Sequence, residues 1–215
     1  MSRDHLDGNT SREISRSPNT VQPRSHSEWP RWVLSSLIIP LCWFGMQGIH
    51  ELGHVFGAWI TGGTVIKVVL HPAAISRTDV TPNPNPLIEV WAGPWVGVIL
   101  PLLLWGMTRT FRLRSAFVFQ FFAGFCLIAN GVYLGAGSFD HVGDCGDLLT
   151  HGTPHWQLWG FGLIATPLGL CLWHGLGRQF GWGRAANRVD STLALGVAGC
   201  LVTLVVAELL LSGTF

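Results

Sequence analysis

The chain has 215 residues, of which 48% are hydrophobic and only 12% are charged, about half the charge of an ordinary soluble domain. Eleven Trp and twelve Phe stand against a single Lys, too little charge to cover a globular surface, so a bilayer is the expected solvent. A formal net charge of +1 gives no ground for a nucleic-acid partner.

Residues 1–30 are rich in Ser, Arg, Asn, Asp and Pro. They cannot bury enough apolar surface to fold alone and read as a disordered polar tail. About thirty polar residues ahead of the first apolar run, with no small-x-small cleavage site, do not make a secretory signal, so that run is expected to be retained. Residues 31–215 form the membrane domain. Five apolar stretches match the roughly 20 helical residues that cross a bilayer core; they lie near 32–60, 87–107, 116–137, 156–176 and 192–211. The first is over-long and ends at Gly62-Gly63, after which Val65 to Leu70 is β-rich. Thr81 to Pro86 alternates proline and is a loop. The expected fold is therefore an all-α polytopic membrane protein with about five transmembrane helices and a short β-rich segment after the first.

Arginine placement supports this division. Arg3, Arg12, Arg16, Arg24 and Arg31 precede the first span. Arg109, Arg112 and Arg114 follow the second, and Arg178, Arg184 and Arg188 follow the fourth. With alternating spans, 11 of the 13 Lys+Arg share one side, leaving Lys67 and Arg77 on the other. The positive-inside rule then makes the N-terminus cytoplasmic, as in a multi-pass protein of a bacterial cell membrane. Cys42, Cys126, Cys171 and Cys200 sit in apolar runs and Cys145 in a polar loop. An odd count without CxxC does not organise a disulfide framework.

The chemistry concentrates in His50-Glu51-Leu52-Gly53-His54 near the end of the first span. On a helix, imidazoles at i and i+4 share one face and can grip one cation. The intervening Glu stands close enough to act as a base, the arrangement of a zinc hydrolase. From the composition, about 0.01 such patterns are expected by chance, and three ionisable groups in five residues of a membrane helix are costly unless functional. One Zn2+ per chain is expected on His50 and His54, with Glu51 as the catalytic base. A third ligand must come from elsewhere. The stretch from Ser138 to Asp147, after the third span, emerges on the same side as the His-Glu-x-x-His end and offers Asp140, His141, Asp144, Cys145 and Asp147.

This set of motifs resembles the site-2 protease family of intramembrane zinc peptidases. The resemblance rests on His50 to His54, the Gly-Gly turn and strand behind it, and Ala92-Gly93-Pro94 in the next span, and runs from about Trp32 to Leu149. It implies a three-helix catalytic core over 32–149. It also implies an aspartate as third ligand, for which Asp144 in Gly143-Asp144-Cys145-Gly146 is the nearest counterpart, with Asp147 and Asp140 as alternatives. The family's Asn-x-x-Pro and Pro-x-Pro residues are absent. Asn130 is the only similar amide, read either as a substrate or oxyanion contact or as a bond to a neighbouring helix. Family members in bacteria usually face their zinc toward the cytoplasm, whereas the arginines here point it the other way.

The activity so implied is hydrolysis of peptide bonds in membrane-embedded or membrane-associated proteins. The alternative is a non-proteolytic scaffold, or a metal-responsive binding protein, that retains the site. Gly93 with Gly97, and Gly131 with Gly135, are small residues at i and i+4 that are expected to bring spans one to three close together. His71, His151 and His155 are expected to be interfacial rather than ligands.

Overall fold

The computed structural model describes residues 28–71, 76–183 and 188–212. The polar tail expected over residues 1–30 therefore lies almost entirely outside the described residues, as do Arg3, Arg12, Arg16, Arg24 and Arg184. The described chain is mostly helical. In order it forms α1 (Trp29–Thr61), β1 (Val65–Val69), β2 (Arg77–Val80), α2 (Pro86–Thr110), α3 (Ala116–Gly137), α4 (Asp144–Thr150), α5 (His155–Trp173) and α6 (Ser191–Ser212).

Local chemistry sets the ends of α1. Pro30 occupies its first turn, where no N–H is needed. At the other end Gly62 takes φ 78°, and the N–H of Gly63 returns 2.8 Å to the carbonyl of Ala58, a left-handed cap that a side chain would strain. The turn releases the chain into an antiparallel hairpin. Val68 faces Thr78, and Lys67 faces Asp79 beyond a register shift. Sequence reading anticipated β1 but not β2, whose Arg-Thr-Asp-Val run is short and polar.

Four helices are long and apolar enough to cross a membrane: α1, α2, α3 and α6. Large apolar side chains point outward from them, including Ile39, Trp59, Leu103 and Val202, the surface of a multi-pass membrane protein. The expected span at 156–176 is the 19-residue helix α5, which stands outside that group of four. It packs along α3.

Close helix approach decides the arrangement. A Cβ on Gly53 of α1 would lie 2.5 Å from the Ala92 carbonyl oxygen, and one on Gly57 2.8 Å from Cα of Glu89. The second half of α1 is thus pressed against the start of α2. On α2, a Cβ at Gly97 would come 2.9 Å from the Asn130 amide of α3. The pair Gly131 and Gly135 does something other than expected. They receive α5, with Thr166 Oγ1 2.7 Å from a Cβ at Gly131 and Gly162 Cα 3.3 Å from one at Gly135. The notch holds α5 against α3 rather than joining spans one to three. Apolar clusters seal the contacts: Leu34, Ile38 and Cys42 of α1 with Ala194 and Val197 of α6, and Leu134 with Leu148 and Leu158. The end of α1, the start of α2 and the end of α3 consequently meet at one place.

Candidate metal centre

At that meeting point His50, His54 and Asp144 form a group that could hold a metal ion, with ligand atoms all within 4.8 Å of one another. Both imidazoles are buried. Nε2 of His50 lies 2.8 Å from Asp144 Oδ2, Nε2 of His54 lies 3.3 Å from the same oxygen, and the two Nε2 atoms are 3.1 Å apart. Tetrahedral zinc with bonds of about 2.0–2.1 Å places its ligand atoms about 3.3 Å apart. The spacing of the three donors suits such an ion.

The outer nitrogens assign the protons. Asn130 donates from Nδ2 to the carbonyl of Cys126 at 2.9 Å, which turns its Oδ1 toward His50 Nδ1 at 2.8 Å. That oxygen can only accept, so His50 donates from Nδ1. His54 Nδ1 faces Glu89 Oε1 at 3.0 Å and the Glu89 carbonyl at 3.2 Å, both acceptors again. With each Nδ1 donating outward, the two Nε2 atoms and a carboxylate oxygen converge on one point. Such a convergence suits a cation between the three atoms, and a chain of donors backed by acceptors is how histidine ligands are oriented.

Asp144 is the one residue of the five candidates that reaches the imidazoles. Gly143, at φ 61°, opens α4, and the N–H of Asp144 donates to the Tyr133 hydroxyl at 3.0 Å. A Cβ on Gly143 would collide with that hydroxyl, so glycine is required there both for backbone angle and for space. Burial works to raise the Asp144 carboxyl, but hydrogen bonding and charge from His50 and His54 outweigh it and hold it well below the usual carboxylate range. Asp147, one turn on, is exposed, and partial burial with the Asp144 charge raises its pKa. Asp140 and His141 are exposed. Burial pushes the Cys145 thiol up to about 12, and its Sγ donates to the Tyr133 carbonyl at 3.3 Å. His151 rests on the Asp147 carbonyl and His155 stacks near His141 and Trp159.

Glu51 is 2% exposed and stands outside the three-residue group. Its Oε2 accepts a hydrogen bond from Thr78 Oγ1 at 2.8 Å, so β2 reaches over to α1 and holds the carboxylate. Asn130, read from the sequence as a substrate or oxyanion contact, is placed behind His50 with both ends of its amide engaged. Of the two readings, the structure shows the bond to a neighbouring helix.

Three residues of this centre were missed in the sequence: Glu89, Tyr133 and Thr78. Glu89 had a usable signal, because a carboxylate in an apolar span is costly without a partner. It is 5% exposed and takes a further hydrogen bond from Asn83 Nδ2 at 3.2 Å. Gly93 completes the seat, since a Cβ there would strike the His54 ring. Glu89→Gln is expected to weaken metal affinity by about 10–100-fold, the usual cost of losing an outer carboxylate, while leaving the stoichiometry at one. A competition titration with a chromophoric chelator measures it, and an unchanged affinity would show that Glu89 does not orient His54.

No family model, curated protein or solved structure matches the chain.

Proposed function

We propose that the protein is a zinc-dependent endopeptidase that hydrolyses peptide bonds of membrane-embedded or membrane-associated proteins. The observation that carries this reading is the convergence of two histidine Nε2 atoms and the Asp144 carboxylate beside a buried glutamate. Zinc held by His50, His54 and Asp144 would supply an acidified water and an electrophile for the substrate carbonyl.

The chain's own residues do the rest. Glu51 accepts the proton of the attacking water at its carboxylate and returns it to the departing amine. Thr78 holds that carboxylate in place between the two transfers. Asn130 and Glu89 keep the two imidazoles in the tautomer that leaves Nε2 bare. Tyr133 fixes the start of α4 and so the position of Asp144. A substrate helix must unwind before its backbone is accessible, because its own hydrogen bonds protect the scissile bond. The edge of β1 not paired with β2 can receive the unwound strand. We take α5 as the fifth span, which places 11 of the 13 Lys+Arg on one side and the catalytic end on the other.

The test is cleavage of a labelled single-span helix by the purified protein, lost on chelation and restored by zinc. Absence of cleavage from a protein that carries one zinc would favour the non-proteolytic reading. Ile66→Pro removes a backbone donor from β1. Cleavage that proceeds unchanged in this variant would eliminate strand addition.

Metal occupancy should also depend on pH. Both Nε2 atoms must be unprotonated to bind, so metal affinity is expected to fall as the pH is lowered from 8 to 5. Asp144, held below the usual carboxylate range, stays ionised throughout that window and releases no proton. Calorimetry in buffers of different ionisation enthalpy should therefore count at most two protons released per zinc between pH 5 and 8. A third proton would show that the carboxylate is protonated before the metal enters.

A further inference from the structure

A cavity of about 1450 Å³ runs along α1 on the face turned away from the metal-holding group. Its α1 wall includes Gly45, Gly48, Ile49 and Leu52. At 3.6 residues per turn these project roughly opposite to His50 and His54, so the helix itself separates the cavity from the candidate metal centre. The facing wall is α6 from Thr192 to Glu208, along which Gly196, Cys200, Leu204 and Glu208 follow at successive intervals of four. Phe122 of α3 lies beneath, 3.2 Å from where a Cβ on Gly45 would stand.

From Gly196 to Leu204 that row is apolar, and it ends in a carboxylate. Glu208 is 5% exposed, and its Oε2 has no hydrogen-bond partner among the described residues. It lies four residues before the end of α6 at Ser212, about 6 Å of helical rise, and so near one end of a candidate span. Leu70 lines the same end, and His71 is within electrostatic reach of the carboxylate. A buried acceptor in a membrane helix is costly until a donor reaches it. The groove thus asks for a molecule with a long apolar body and a cationic, N–H-bearing end near the close of α6.

We infer that this groove is a binding site for a bilayer aminolipid, whose acyl chains lie between α1 and α6 and whose primary ammonium donates to Glu208. A choline headgroup carries the charge but has no N–H to give, and an acidic headgroup would set a like charge beside Glu208; the arginines that line the cavity, Arg114 and Arg188, stand at the other end of it, near the starts of α3 and α6. The site is independent of the peptidase reading, since it uses the opposite face of α1.

The test uses the full chain in nanodiscs of choline lipid, with a trace of an ethanolamine lipid carrying a photoactivatable group in its acyl chain. Adducts mapped by mass spectrometry should concentrate on the Gly45 to Leu52 and Gly196 to Leu204 stretches. Excess unlabelled ethanolamine lipid should reduce them at least fivefold, and the same excess of choline lipid should not. Glu208→Gln removes the charge and should lower labelling severalfold. Gly48→Leu should do likewise by filling the groove, because a Cβ at Gly48 meets nothing within 4 Å; an unchanged thermal midpoint certifies that either variant is folded. Adducts spread evenly over the outer surface, competition by both headgroups alike, or labelling that survives both substitutions would overturn the site. Cross-linking of the groove to a second chain instead of lipid would overturn it in favour of a helix as the occupant.

Discussion

Asp144→Ala should release the metal, whereas Asp147→Ala and Asp140→Ala should each retain one ion per chain. The carboxylate of Asp144 is the only one of the three that reaches both imidazoles, at 2.8 and 3.3 Å. Removing it leaves two neutral nitrogens, too few to hold zinc at an open site that ordinarily needs three protein ligands. The loss should exceed the roughly 10–100-fold penalty for an outer-shell partner. It should also be larger than the loss in Asp144→Glu, where a carboxylate remains but its position is shifted. Metal analysis of the four purified variants against wild type decides the matter. Full occupancy in Asp144→Ala would mean that the third ligand has been misassigned. Parallel loss in Asp147→Ala would point to collapse of α4 instead of loss of a ligand.

The second large effect concerns Glu51. Glu51→Gln keeps the size and hydrogen-bonding shape of the side chain, so Thr78 can still donate to its oxygen, and the metal should remain bound. What the amide cannot do is take a proton from water and give it back. Cleavage of the single-span substrate should fall by about 10²–10⁴-fold, the range typical of a lost general base, with little change in KM. Separating the two readouts is what makes the experiment informative. A fall in metal content alongside activity would make Glu51 a structural residue. Unimpaired cleavage by a metal-loaded amide variant would rule out Glu51 as the proton carrier of the peptidase.

Much of this architecture was legible before any coordinates. The apolar runs at 32–60, 87–107, 116–137 and 192–211 correspond to α1, α2, α3 and α6, because a bilayer demands long uninterrupted apolar helices. The Gly62-Gly63 stop and the strand behind it were also readable, since a left-handed cap has a residue signature. His50 and His54 announced themselves by a spacing of four on a helix. Less legible were elements whose residues carry no such signature. The four-residue strand β2 is polar and short, and α4 is a seven-residue helix opening on a glycine. The partners of the histidines were hidden for a different reason. Glu89, Tyr133 and Thr78 stand in no motif of the sequence. Each gains its role only from a residue that is distant in the chain.

The same division holds for the glycines and for Asn130. Small residues at i and i+4 mark a helix face that will be approached closely, but not by which helix, and Gly131 and Gly135 met α5 where spans one and two had been expected. Asn130 stands out in the sequence as the one amide similar to the family's asparagine, readable either as an oxyanion or substrate contact or as a bond to a neighbouring helix. Only packing revealed that its carbonyl faces His50 Nδ1 and its amide faces its own helix. Residue order by itself determined where four helices long and apolar enough to cross a membrane fall, and that two imidazoles and a glutamate share one helical turn. Tertiary structure alone chose Asp144 among neighbouring candidates and supplied Glu89 and Asn130 behind the histidines. Periodicity and hydropathy are local and survive in a linear string, whereas a converging set of lone pairs depends on how three helix ends are brought together across some ninety residues of chain.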